Sequence, residues 1–374
     1  NFRLPLIKKL LSRGHKVSVA SPAENFSDNL QKELRILGIN INFFSLSNTG
    51  LNFFKDCKSM LEIYKVIRDS RPNVIISYTA KPVIYTGLVL KCFKKISYYP
   101  LITGLGYAFI DKSSIKYKIL KYLMIKLYRE GLKNSKKIIF QNRDDQFLFF
   151  KLKIIKQKKL SNIVNGSGVD LNEYPLSSLP SKSVFLMISR LLIDKGVREY
   201  VEAAKIVKCK YPLTRFQLLG PLGVQNRTSI TNTQMKIWQK EGVIDYLGET
   251  DNVKKFIEQA SCVVLPSYRE GTSRVLLEAA AVGRPLIATD VTGCREIVND
   301  GVTGLLCKPR DYVALAQKIE LMLEMSYENR LLMGIRGREK VENEFRQEIV
   351  CDLYIEVIES CKIRSSVVLK PGLK

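Results

Sequence analysis

Residues Pro266 to Cys294 read PSYREGTSRVLLEAAAVGRPLIATDVTGC, and the architecture follows from this stretch. An apolar run, CVVL at 262–265, precedes it; short, branched and closed by a proline, that run reads as a buried strand. Glu270 and Gly271 come next, and either Thr272 or Ser273 can cap a helix predicted over 274–282. The unpaired N–H groups of that first turn favour an anion or a hydroxyl-rich ligand above the strand end. Pro285 to Thr289 then returns as a strand. Glu270 in the loop and Glu278 on the helix can therefore hold two ends of one bound molecule.

Upstream, a strand over 184–188 leads through Ser189-Arg190-Leu191-Leu192 and Asp194-Lys195-Gly196 into a helix over 197–208. Arg190 and Lys195, near the strand end and the helix start, can grip a diphosphate that neither would hold alone. Strands at 215–219 and 244–247, with helices at 231–239 and 251–259, complete the approach to Glu270; Gly248-Glu249-Thr250 follows the second strand. Downstream, the pattern predicts a short helix at 292–296, a strand at 301–306, helices at 312–325, 327–341 and 346–361, and a frayed tail at 370–374.

The first half alternates in the same way. Strands are expected at 16–20, 40–45, 74–77, 97–101, 137–141 and 161–165, with helices at 4–11, 29–37, 56–69, 83–91 and 144–150. That is the α/β pattern of a mostly parallel sheet covered by helices. Lys81, in the Thr79–Pro82 boundary, faces either solvent or a ligand. Thr103, Gly104, Leu105 and Gly106, in ITGLGYAFI, form either a loop facing an acceptor or a plain turn, and not a dinucleotide fingerprint. His15 is read as a capping or solvent-contact residue. Proline and serine in 172–182 mark a linker, dividing the chain into domains 1–172 and 173–345, with a last segment, 346–374, returning to the first.

A chain of 374 residues, 46% apolar, suits two domains of roughly 150 to 200 residues. Eight scattered cysteines without a CxxC pair fit a thiol-reducing interior, and a single histidine leaves no His-based metal centre, so no metal is expected; carboxylate-bound magnesium stays open. The net charge of +24 calls for a polyanionic partner, a nucleic acid or an anionic membrane face. No span-length apolar run or signal peptide is present, and the opening at Asn1 runs straight into a helical pattern, as if the domain's first strand preceded it. Over 116–137, Ile119, Leu120, Leu123, Met124, Leu127 and Tyr128 share a face bordered by Lys116, Lys118, Lys121, Lys126, Arg129 and Lys133. This is either an interfacial membrane helix or a domain helix with a solvated basic side. Residues 151–159, KLKIIKQKK, add five lysines, and with no aromatic stacking platform nearby a nucleic-acid partner is not expected.

The segments ISRLLIDKGVREYVEA at 188–203, YLGETDNV at 246–253 and VLPSYREGTSRVLLEAAAVGRPLIATDVTGCREIV at 264–298 together resemble the retaining, nucleotide-sugar-dependent glycosyltransferases numbered family four. NFRLPLIKKLLSRGHKV and ITGLGYAFI look like the branch that extends undecaprenyl-diphosphate-linked glycans in surface-glycan or O-antigen assembly. The resemblance implies the GT-B fold, two Rossmann-like domains facing each other across a cleft. It implies a UDP-sugar donor, no required cofactor, a lipid-linked saccharide acceptor and a peripheral place on the cytoplasmic face of the bacterial inner membrane. Carried over by motif, Arg190 and Lys195 would hold the donor diphosphate, Glu270 and the backbone of Gly271, Thr272 and Ser273 the sugar or phosphate, and Glu278 the ribose. Leu247 and Glu249 would frame the base. The family's frequent first-domain histidine has no counterpart after His15. Other acceptors, a lipopolysaccharide core or a glycerolipid, and a non-catalytic sugar-nucleotide-binding scaffold are the competing readings.

Overall fold

The computed structural model describes residues 3–47, 52–105, 109, 115–156, 160–224, 226 and 228–363. The chain forms two compact units: residues up to Val164 with those from Cys351 onward, and Asn165–Val350. The division expected at 172–173 therefore falls at 164–165. Tight backbone packing explains the shift, since the Val169 N–H donates to Phe345 O (2.9 Å) and the Gln347 N–H to Val169 O (3.0 Å). The linker itself is clamped. The fully buried Arg284 guanidinium donates to Ser177 O (3.3 Å) and Ser178 O (2.8 Å), and burial lowers its pKa to about 10.

Unit 1 runs α1 (Leu4–Ser12), β1 (Ser18–Ser21), α2 (Asp28–Ile36), β2 (Asn40–Phe43), α3 (Phe53–Ser70), β3 (Val74–Tyr78), α4 (Ala80–Val89), β4 (Ser97–Ile102), α5 (Ile115–Leu132), β5 (Ile138–Phe140), α6 (Arg143–Lys151) and β6 (Ser161–Ile163). All pairings are parallel, but in place of the one sheet expected there are two, β1-β2 and β3-β4-β5-β6. A cavity of about 240 Å³ separates the β1 and β3 edges, lined by Ser18, Ala20, Ile76 and Ser77 among others. Helix α4 begins at Ala80, earlier than expected, because Pro82 falls in the first turn, where a missing N–H costs nothing. It packs between α3 and α5 with Val83 and Ile84 buried. The approach to α5 is so close that a Cβ on Gly87 would lie 1.7 Å from Gly131 O.

Unit 2 continues with β7 (Val184–Ile188), α7 (Val197–Lys210), β8 (Arg215–Leu219), α8 (Asn232–Lys240), β9 (Asp245–Tyr246), α9 (Val253–Gln259), β10 (Cys262–Leu265), α10 (Arg274–Ala281), β11 (Leu286–Thr289), β12 (Gly304–Cys307), α11 (Tyr312–Glu324) and α12 (Tyr327–Glu344); α13 (Gln347–Ile363) ends the described chain. Its six strands lie in the order β12-β11-β10-β7-β8-β9, all parallel. Both faces of the sheet are covered, so its central strands are apolar throughout rather than alternating. On β7, Phe185 and Met187 enter one core, with residues of α7, α8 and α11, while Leu186 and Ile188 enter the other, with residues of α9 and α10. Residues 292–296 form turns, not the expected short helix. There Gly293 takes φ +81°, a left-handed conformation that interrupts a helix.

Candidate donor site

The strand order creates the site. β7 and β10 are neighbours, yet the chain leaves β7 towards β8 and β10 towards β11, so the loops at their C-terminal ends part and open a crevice. Arg190 and Lys195 follow β7, and Glu270 to Ser273 follow β10. Alternation of strands and helices in the sequence does not contain this order.

These two loops are stitched together. The Tyr268 N–H donates to Asp194 O (3.0 Å), and Gly196, at φ +80°, lies so close that a Cβ would meet Pro266 O at 2.0 Å. Lys195 Nζ then reaches Glu270 Oε1 at 2.6 Å, with the side chains only 22% and 13% exposed. The resemblance assigns these two groups to different parts of a donor; the structure pairs them with each other. Arg190 is exposed and makes no ion pair among the described residues.

A third loop, after β11, closes the arrangement. The Glu270 N–H donates to Thr292 O (3.0 Å) and the Ser273 N–H to Gly293 O (3.3 Å); a Cβ on Gly293 would sit 2.6 Å from Gly271 O. Of the two possible caps, Ser273 is the one used, its Oγ accepting the Leu276 N–H at 3.4 Å. Gly271 and Thr272 thus lie just ahead of the positive end of the α10 dipole.

Inside α10, Glu278 is buried at 6% exposure and paired to Arg274 Nη2 at 2.8 Å. Burial raises its pKa above the ordinary carboxylate range, with Arg274 pulling the other way. The Tyr174 hydroxyl lies beside it, and its own pKa is pushed up first by burial and then by the Glu278 charge. Sequence reasoning missed Tyr174, which stands in the presumed linker, and Thr292 and Gly293, whose only signal was a TG pair after a strand.

Leu247 is half-buried, and its N–H donates to Leu218 O at 2.9 Å; Gly220 N–H donates to Gly248 O at 2.7 Å, bracing the loop that carries the exposed Glu249. In unit 1, Thr103 is half-buried, Gly104 has φ +128°, and Leu105 packs in the core at 2% exposure. Gly106 lies outside the described residues. Lys81 is neither solvent-facing nor unpaired, for Nζ bonds Asp56 Oδ1 at 2.8 Å and both side chains are largely buried. His15 Nε2 lies 3.3 Å from Glu359 Oε1. Among the described residues no group of three or more His, Cys, Asp or Glu is placed to hold a metal ion, and no helix is long and apolar enough to cross a membrane.

Residues 2–142 match the family described as glycosyl transferase 4-like, and residues 176–340 match glycosyl transferases group 1. The chain is 28% identical, over 87% of its length and 86% of the other protein, to the N,N'-diacetylbacillosaminyl-diphospho-undecaprenol alpha-1,3-N-acetylgalactosaminyltransferase of Campylobacter jejuni. It is 24% identical, over 83% and 82%, to the UDP-Gal:alpha-D-GlcNAc-diphosphoundecaprenol alpha-1,3-galactosyltransferase of Escherichia coli. The Anabaena protein HepE in complex with UDP superposes with a TM-score of 0.75 at 18% identity, covering 96% of each chain.

Two α/β units with parallel sheets, together with these matches along the chain, define a glycosyltransferase of the GT-B class. Within that class, the chain belongs to glycosyltransferase family 4.

Proposed function

We propose that the chain moves a sugar from a UDP-sugar, with retention at the anomeric carbon, to a hydroxyl of an undecaprenyl-diphosphate-linked saccharide. In this reading it works as a peripheral protein on the cytoplasmic face of a bacterial inner membrane. The observation that carries the proposal is the Lys195–Glu270 pair beside the α10 N-terminus at the switch point. A diphosphate arriving there would meet Lys195, the exposed Arg190 and the positive end of a helix dipole. Glu270 would hold Lys195 in place and accept hydrogen bonds from sugar hydroxyls. Glu278, buried and of raised proton affinity, would accept from the ribose hydroxyls, while Leu247 and Glu249 frame the base. UDP is favoured because HepE, which shares the fold, is described with UDP. The acceptor class is supported by the names of the Campylobacter and Escherichia relatives.

The chemistry follows from charge. As the anomeric carbon–oxygen bond to the diphosphate breaks, negative charge grows on the leaving phosphate, and Lys195 and Arg190 offset it more in the transition state than in the ground state. The acceptor hydroxyl attacks from the face the leaving group vacates, and its proton passes to the leaving phosphate oxygen. No side chain is needed as a covalent nucleophile. Release of UDP should require both a UDP-sugar and a short-chain lipid-diphosphate saccharide. UDP formed at the same rate without the acceptor would overturn the proposal.

A further inference from the structure

The segment Asn165–Tyr174, NGSGVDLNEY, belongs to unit 2, and its last residues fall in the expected linker. It runs beside α10. Gly166, at φ +72°, lies so close to the start of that helix that a Cβ would stand 2.9 Å from Thr272 Cβ. At the other end of the segment Tyr174 is 4% exposed and packs in one core with Leu277 and Ala281 of α10.

Two devices fix Tyr174 there. Its N–H donates to Asp170 O (3.0 Å), and Asp170 Oδ1 accepts the Asn172 N–H (2.9 Å) and the Glu173 N–H (3.3 Å), which closes the chain into a turn. Arg338 on α12 donates through Nη1 to both Tyr174 O (2.8 Å) and Ala281 O (2.6 Å), while its Nε holds Glu342 Oε1 at 2.6 Å. The tyrosine backbone and the last residue of α10 thus share one guanidinium. That ties the ring to the helix carrying Glu278.

What the ring brings is a hydroxyl beside the Glu278 carboxylate. From the preceding turn Arg274 Nη2 donates to Glu278 Oε1 at 2.8 Å. An ionised carboxylate offers about four acceptor sites. One each for Arg274 and Tyr174 leaves two, the number of hydroxyls in a vicinal diol. With Glu278 only 6% exposed, a ligand has little choice of approach. The two donors differ in kind: Tyr174, being neutral, orients the carboxylate, whereas Arg274 also offsets its charge.

We infer that Tyr174 and Arg274 are positioning residues for a diol subsite, turning the Glu278 carboxylate so that its two remaining acceptor sites meet the 2'- and 3'-hydroxyls of a ribose together. The inference rests on the proposed function, which puts the ribose at Glu278, and extends it to two residues that touch the carboxylate instead of the nucleotide.

The test titrates UDP, 2'-deoxy-UDP and 3'-deoxy-UDP calorimetrically into wild-type protein, Glu278→Gln, Tyr174→Phe, Arg274→Gln and Arg274→Lys. Wild type should bind UDP on the order of tenfold more tightly than either deoxy analogue, the loss of one hydrogen bond to a charged group. Tyr174→Phe, which keeps the buried ring, should weaken UDP about threefold to tenfold and the analogues much less, so that discrimination shrinks. Arg274→Gln should shrink it too, at a side chain 43% exposed and so without disturbing the core, and Arg274→Lys should restore most of it. Equal weakening of all three nucleotides in Tyr174→Phe and Arg274→Gln would reduce both residues to packing and overturn the inference. Discrimination lost in Glu278→Gln but kept in both of those variants would overturn it as well, leaving the ribose at Glu278. A wild-type protein that does not distinguish UDP from its deoxy analogues would overturn the ribose placement itself, and the inference would fall with it.

Discussion

At the residue scale, the two glutamates turn out to be unlike each other. Glu270 is neutralised by Lys195, 75 positions away in sequence, and Glu278 is buried with a raised pKa. Both were legible as candidates from loop and helix position; their partners were not, because Lys195 reaches Glu270 through strand adjacency and Tyr174 lies in an apparent linker. For Glu278 the sign of the pH effect is fixed. A carboxyl whose folded-state pKa exceeds its unfolded value favours folding at low pH and loses that contribution as pH rises through the folded pKa. Glu278→Gln should therefore gain stability relative to wild type as pH rises from acid towards neutral, seen as a converging or crossing pair of melting curves, while UDP binding weakens. A Glu278→Gln protein that loses stability relative to wild type as pH rises would contradict the burial account.

Elements packed through glycine make a second kind of claim. Gly334 on α12 comes so close to the α10–β11 turn that a Cβ would lie 2.1 Å from Gly283 O and 2.9 Å from Gly283 C, both backbone atoms. Gly334→Ala should cost about 2–3 kcal/mol, the scale of overpacking, read as a lowered midpoint in urea with an unchanged slope. Gly87→Ala at the α4–α5 contact should be at least as costly. Element positions were readable wherever the pattern was strong: β7, β8 and β10 fall on the expected residues. The misreadings have physical sources. Helix α4 starts ahead of the expected residue 83 because a first turn tolerates Pro82, Gly293 takes a left-handed conformation at the expected short helix, and of the six apolar residues expected on one α5 face Ile119 and Leu123 are exposed.

For the whole molecule, the strand and helix alternation was enough to read two α/β units, and the motifs were enough to read the family. The order β12-β11-β10-β7-β8-β9 was not readable, because local periodicity is silent on which strands are neighbours, and that order is what brings Arg190, Lys195 and Glu270 to one crevice. The split of unit 1 into two sheets and the shift of the boundary to 164–165 likewise depend on contacts between distant segments. The central claim, that the switch point of unit 2 is the donor site, is tested most directly by calorimetric titration of UDP into wild-type protein and Lys195→Ala. Loss of a charge-assisted contact to diphosphate predicts binding about tenfold to a hundredfold weaker, measured well below a melting temperature that itself falls because Glu270 is left without its partner. Equal UDP affinity in the two proteins would contradict it.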